Sequence, residues 1–456
     1  MDKDRSGYSE QIAEFCSNFD LTKMPKDVME RAKLIILDTL GAILAASHPK
    51  YPAGRILADF IRREGEREEA TIIGRDFMAT AINAALVNAT MGYFCDIESC
   101  DFKATLHAPA VILPSVLAVG ERSKASGTEV ITSFVLGIDI ETRIARAISP
   151  MGMYDRGFHP SAVCGCFGAA IAAGKVLDLN KNQFFNAIGL CGCQASGLLA
   201  WESDKTEMSR PFNLGIAARN GLLSALLAKE GFAGPEVFEG KYTIFKAFSG
   251  KERYEELLKD LGKNFAIMDQ SIKKYASCAY IQPGLDALLK ILKDHTINPE
   301  EIQKITMKVP SKEILNLIDT STLRSHDARY ILAVGAFNKE VLTDDILQDR
   351  YSNIKIFELA KRIELRCDEK LADLFPRAFP TIIEVETKGR VFMERVDYAR
   401  GDPENPMTKN EVEGKFMKLA TTVIDEARAS EIAKLIDGLE KIDEIGELTR
   451  LLRFKQ

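Results

Sequence analysis

Apolar residues recur at three- and four-residue spacings through the first 260 or so positions of the chain. Val28, Met29, Ala32, Ile35, Ile36, Leu40 and Ile43 trace one such stripe. It predicts a helix over Val28–Ala46. Pro25 stands near its start, where a missing amide hydrogen costs little. The same period predicts helices over Thr80–Met91, Pro109–Val119, Val130–Ala147, Ala162–Leu177, Gln183–Leu199 and Gly215–Lys229. Several are rich in Gly, Ala, Ser and Cys, which lets helices approach closely.

The pattern changes near residue 264. Ile302–Val309, Arg362–Cys367, Thr381–Thr387 and Arg390–Tyr398 alternate apolar and polar residues, the period of half-exposed strands. Helices over Gly284–Lys293 and Tyr330–Phe337 lie between them, and Asn410–Gln456 returns to a helical period. A strong turn, Gly401-Asp402-Pro403-Glu404-Asn405-Pro406, separates the strands from that last part. The patterning predicts a mainly α fold. A helical domain over 1–263 is followed by a smaller α+β domain over 264–400, and helices over 401–456 complete the first domain. A small-molecule site is expected in the cleft between the two.

Charge and cysteine narrow the function. The chain has 456 residues and a net charge of −6. That balance excludes nucleic-acid binding driven by overall charge and a polybasic membrane-surface role. The most apolar uncharged stretch, Gly157–Gly174, contains His, Pro and Ser and is short of the ~20 apolar residues of a membrane span. A buried helix is the expectation there. The charged N-terminal residues show no secretory leader. Nine cysteines are scattered, and Cys164/Cys166 and Cys191/Cys193 lack the spacing of a zinc site. Reduced thiols, no metal and a cytoplasmic location are expected.

Five polar runs could carry chemistry. Asp96, Glu98, Asp101 and His107 lie between two predicted helices, where a carboxylate could tune His107 as an acid or base. His159 and Pro160 open a Gly/Ala-rich helix, whose amide end favours an anion and lowers imidazole basicity. Arg210 precedes another helix and could clamp a carboxylate. Lys273 and Lys274 begin the second domain, and Ser325, Arg329 and Tyr330 lead into an apolar helix. Each run also reads as capping, packing or solvated charge. No dinucleotide, P-loop or nucleophile-elbow motif is present. Together the runs suit proton transfer on a carboxylic acid without an organic cofactor.

The segments GFHPSAVCGCFGAAIAAGKVLDL, RPFNLGIAARNGLLSALLAKEGFAGPEVFEG, IKKYASCAYIQPGLDALL, ARYILAVGAF and RGDPENPMTKNEVEGKF resemble the MmgE/PrpD family in the family's order. The resemblance implies an all-helical domain with an α+β lid, assembled as a homodimer. It implies catalytic roles for Asp96, His107, His159, Lys273 and Tyr330, which match family motif positions. Arg210 stands where a lysine is common, Asn213 where a histidine is common, and Gln282 where a His-Pro histidine is common. The implied function is a cofactor-independent lyase that dehydrates a hydroxy di- or tricarboxylic acid resembling 2-methylcitrate. His159 would be the base and His107 the acid. Arg210, Lys274, Glu98, Arg329 and Ser325 would hold the substrate. Decarboxylation of a cis-aconitate-like acid and epimerisation of an iminodisuccinate-like acid need the same parts.

Overall fold

The stripe begun at Val28 folds as a helix over Lys26–Ala46, buried on every side from Ile35 onward. A helix apolar all round belongs in the centre of a core. This computed structural model describes residues 7–20, 24–65, 67–347, 352–375 and 377–455. Helices Ala81–Phe94, Ala108–Ser123 and Gly127–Ile148 pack against the central helix. Helices Pro160–Val176 and Ser209–Lys229 complete the bundle. Gly215 sets one crossing: a Cβ there would lie 2.2 Å from Thr90 Oγ1. The close approach brings Arg210, at the start of its helix, onto Tyr93 near the end of Ala81–Phe94. Among the described residues no helix is long and apolar enough to cross a membrane.

Two local readings in this region are corrected. The helix expected over Gln183–Leu199 spans Lys181–Gly192. Beyond it, Phe158 and Leu198 form an antiparallel bridge, and Leu199 N donates to the Gly157 carbonyl. Backbone pairing with the His159 segment thus replaces helix continuation. A short hairpin of β1 (Ala70–Thr71) and β2 (Met78–Ala79) also interrupts the helical stretch.

After residue 300 four strands form one sheet: β3 (Lys304–Val309), β4 (Ile363–Cys367), β5 (Thr381–Thr387) and β6 (Arg390–Val396). Their order is β4-β3-β5-β6, with β3 and β4 parallel and the other pairs antiparallel. Helices Gln282–Asp294 and Ala328–Asn338 pack on the sheet. The C-terminal part divides into helices Lys409–Ala420, Glu426–Asp437 and Gly446–Leu452. The first two pack on the central helix Lys26–Ala46.

Candidate active site

Helix Ala81–Phe94 ends at Cys95, and Asp96 takes a left-handed backbone with φ 51°. Aspartate tolerates that region better than most residues. The loop that follows is pinned twice. Asp101 and Leu106 exchange hydrogen bonds of 2.8 and 3.0 Å, and Cys100 and Ser271 exchange bonds of 3.0 and 2.7 Å. The second bridge brings Lys273, two residues beyond Ser271, against the loop. Lys273 Nζ lies 2.6 Å from Asp96 Oδ1 and 3.2 Å from Glu98 Oε1. The same Glu98 oxygen lies 2.6 Å from His107 Nδ1. An ionised carboxylate only accepts, so this contact assigns the proton to Nδ1 and leaves Nε2 for a second one. The His107 amide donates to Ser161 Oγ at 3.0 Å, tying the loop to the His159-Pro160-Ser161 turn.

Aromatic rings space the other groups. Tyr93 lies between His107, at 4.3 Å, and His159, at 5.8 Å between ring centres. The Arg210 guanidinium stacks 4.2 Å from the Tyr93 ring centre, a favourable cation–π geometry. Arg210 Nη1 stands 3.6 Å from Asp96 Oδ2, and its Nε 3.8 Å from Glu207 Oε2. Trp201 packs edge-on to His159 at 5.3 Å and faces His326 at 6.3 Å. His326 Nδ1 is 4.0 Å from Asp96 Oδ2 and 3.0 Å from Ser325 Oγ. Three of the chain's five histidines therefore share one centre.

Burial and paired charge set the protonation states. Burial raises the carboxyls of Asp96 and Glu98, yet Lys273 outweighs it, helped by Arg210 at Asp96 and by His107 at Glu98. Both stay ionised, below the ordinary carboxylate range. Lys273 and Arg210 stay charged because those carboxylates outweigh their own desolvation. The histidines shift the other way. Burial lowers His107 despite the Glu98 hydrogen bond. It lowers His159 strongly, reinforced by His107 and Arg210, and takes His326 down to about 4. The causes at His159 are burial first and then the neighbouring His107, Arg210 and His326.

Tyr93, Asp96, His107, Trp201, His326 and Tyr280 line the cleft at this centre. Several buried polar atoms have no hydrogen-bond partner: Arg210 Nε and Nη1, His159 Nδ1, Trp201 Nε1 and one oxygen each of Asp96 and Glu98. Unmade hydrogen bonds at buried groups cost about 1–3 kcal/mol each, so such a cluster marks a place that meets a polar ligand. A wider groove of about 480 Å³ opens elsewhere on the chain. Its main cations are spent: Arg143 on Asp139 and backbone carbonyls, Arg146 on Asp101 and Asp269.

Of the residues singled out in the sequence, Asp96, Glu98, His107, His159, Lys273 and Arg210 come together, with Ser325 reaching the site through His326. Three do not. Lys274 lies in the bend that follows Lys273, is exposed, and pairs with Asp286 at 3.7 Å. Arg329 pairs with Asp319 and donates to the Ile363 carbonyl on β4. The Tyr330 hydroxyl donates to the Asp345 carbonyl at 2.9 Å. Asn213 donates to the Leu198 carbonyl, and Gln282 braces residues 274–277 through their backbone. All nine cysteines are free thiols, seven of them buried, with Cys193 exposed and Cys367 half-buried.

Sequence reasoning gave no role to Tyr93, Trp201, Glu207 or His326, although His326 lies within the polar run Arg324–Tyr330 that it singled out. Two signals were available. Trp201 is the chain's single tryptophan and stands in a polar run, and His326 is one of only five histidines.

A mostly helical fold with buried acids, cations and imidazoles around one cleft carries the groups of an acid–base enzyme. The chain belongs to the MmgE/PrpD family: the model of the family's N-terminal domain matches residues 10–257 and that of its C-terminal domain residues 275–441. It is 26% identical to the cis-aconitate decarboxylase of Aspergillus terreus, over 98% of this chain and 96% of that protein. It is 23% identical to the Homo sapiens cis-aconitate decarboxylase, over 93% of this chain and 90% of that one. Identity to the Mus musculus protein of that name is 22%, over 98% and 93%.

Proposed function

We propose that the protein is a lyase that decarboxylates an unsaturated tricarboxylate of the cis-aconitate type. The observation that carries this reading is the pair of buried cations, Arg210 and Lys273, set with the unbonded nitrogens His159 Nδ1 and Trp201 Nε1 beside the cleft. They suit the oxygens of a polycarboxylate. The names of the relatives support the same substrate class.

The reaction needs a leaving carboxylate on a carbon next to a C=C bond. Its C–C bond breaks and releases CO₂. The electron pair forms a new double bond, and the old one shifts its pair to the carbon beside a retained carboxylate. That carbon then takes a proton. Arg210 holds a retained carboxylate, and with Lys273 it stabilises the developing enediolate charge. His107 supplies the proton from Nε2, its second proton stabilised by Glu98 and by the bound anion. The aromatic faces of Tyr93, Trp201 and Tyr280 line the cleft for the departing carboxylate.

Dehydration is the second reading, and one observation weighs against it. It requires a base able to take a proton α to a carboxylate, and burial beside His107 and Arg210 makes His159 a weak one. In both readings the part over 264–400 acts as a lid on the helical domain that 1–263 and 401–456 form. The packing of Lys409–Ala420 on Lys26–Ala46 supports that division. A cytoplasmic homodimer completes the proposal, and sedimentation at micromolar concentration checks its assembly. Proton NMR in D₂O with cis-aconitate and hydroxytricarboxylates separates the reactions. Decarboxylation gives a five-carbon diacid carrying one new deuteron, with CO₂ release. Loss of water from a hydroxy acid, with no CO₂ from any unsaturated acid, would overturn it in favour of dehydration.

A further inference from the structure

The segment RGDPENPMTKNEVEGKF, residues 400–416, lies outside the cleft lining, yet it grips the irregular segment that presents Lys273. Three successive residues are held. Ser271 Oγ donates to Asp402 Oδ1 at 2.8 Å. Ile272 N donates to the Gly401 carbonyl at 3.0 Å. Lys415 Nζ donates to the Lys273 carbonyl at 2.7 Å. Gly401 has φ 107°, and a Cβ there would lie 1.9 Å from the Ile272 carbonyl oxygen, so only glycine fits that contact.

Lys415 does more than hold one segment. Its ammonium also donates to the Ile97 carbonyl at 2.6 Å, between Asp96 and Glu98 in the chain. It pairs with Asp38 Oδ1 at 2.5 Å, while Asp38 Oδ2 accepts from Ser99 Oγ at 2.6 Å. Asp38 lies in the buried part of the central helix and is itself fully buried. Burying an ion pair costs several kcal/mol per ion before its attraction is counted, so a buried pair is a poor device for stability alone. This one fastens the two segments that carry the acid pair and its lysine.

We propose that Lys415, anchored by Asp38, is a positioning residue: it fixes the Asp96–Ser99 loop against the Ser271–Lys273 segment, so that the Lys273 ammonium stays between Asp96 and Glu98. The inference rests on the reading of those three as reaction machinery. It adds a requirement that reaches them from the C-terminal helix Lys409–Ala420.

The single variant Lys415→Met strands Asp38 in the core and can fail to fold. The test therefore uses Asp38→Asn/Lys415→Met, which removes both charges together, at a temperature where circular dichroism shows it folded. Its kcat falls on the order of 10²-fold, the usual result of displacing reacting groups by about 1 Å. KM moves by less than about threefold, because Arg210 and the histidines are untouched. A readout independent of turnover is the labelling of Lys273 by an amine-reactive reagent, followed by peptide mass spectrometry. Lys273 is buried and doubly paired, so the wild type labels slowly and the folded double variant faster. Labelling at the wild-type rate, or a wild-type kcat, overturns the proposal. Faster labelling when neither protein converts any polycarboxylate upholds the positioning and overturns the proposed reaction instead.

Discussion

The loop Asp96–His107 and the run Arg324–Tyr330 look alike in sequence. Each is polar, and each leads into an apolar helix. The first turns Asp96 and Glu98 onto Lys273 and His107 onto Glu98. The second sends only Ser325 and His326 toward that centre. Its Arg324 donates to the Leu347 carbonyl, Arg329 pairs with Asp319, and Tyr330 reaches the Asp345 carbonyl. Backbone state explains the difference. The first run is irregular, crossed by the Cys100–Ser271 bridge, and twisted at Asp96. The second becomes helical once the Asp327 side chain caps Tyr330 N, so helix geometry rather than charge aims residues 328 onward. Polar composition finds such runs; the backbone decides which members face the cleft.

The comparison breaks if the first loop can lose its cation without consequence. Lys273→Met leaves Asp96 and Glu98 buried with fewer partners. Breaking such a buried pair costs about 3–5 kcal/mol, read by urea unfolding, and turnover of the substrate is lost with it. At the next level, His107→Gln lowers turnover about 10²–10⁴-fold, the range for a positioned acid–base group, and His159→Ala, which removes a buried polar contact for the substrate, raises KM about tenfold, the worth of one hydrogen bond to a charged group. Steady-state kinetics at wild-type level for both would remove the imidazoles from the reaction.

Much of this was legible. The helical and strand periods located the main elements because burial on one face leaves a repeating stripe. Asp96, Glu98 and His107 stood out because charge in a short run between apolar helices is poorly explained by packing. Arg210 and Lys273 followed from their motif positions. The rest depends on direction. Charge and local composition do not distinguish Lys273 from Lys274, yet one is buried between two carboxylates and the other is exposed beside Asp286. Tyr93 reads as one more apolar position of its helix, and its role comes from the rings and guanidinium that other elements bring to it. Lys415 is invisible to local reading, since the groups it holds lie 142 and 318 residues away in sequence.

The second run has its own titration test. His326 falls from 6.5 to about 4 because burial outweighs the nearby Asp96 carboxylate. Between those values the unfolded chain binds a proton that the folded chain does not. Stability from this group is therefore complete above pH 6.5 and is lost as pH falls toward 4, by roughly 3 kcal/mol in all. Replacing it by asparagine, His326→Asn, removes a titrating group. Unfolding free energies measured across that window then fall less steeply with acid than in the wild type. An unchanged slope would mean that His326 is not held neutral by the site.

The smallest effects sharpen the contrast most. Tyr330→Phe removes the hydroxyl that donates to the Asp345 carbonyl. It costs about 1 kcal/mol, the worth of one net hydrogen bond. Lys274→Ala loses an exposed pair with Asp286 at 3.7 Å, worth about 0–1 kcal/mol after solvent screening. Neither hydrogen bond nor pair is made with the groups around Lys273, so kcat stays within about twofold of the wild type for both, as changes away from a site allow. Lys274→Ala beside Lys273→Met is the decisive pairing, because two adjacent lysines of the same chemistry then differ in burial and partners. If Lys274→Ala cost as much turnover as Lys273→Met, the orientation of that segment would be wrong, and with it the division between residues that face the cleft and residues that brace it.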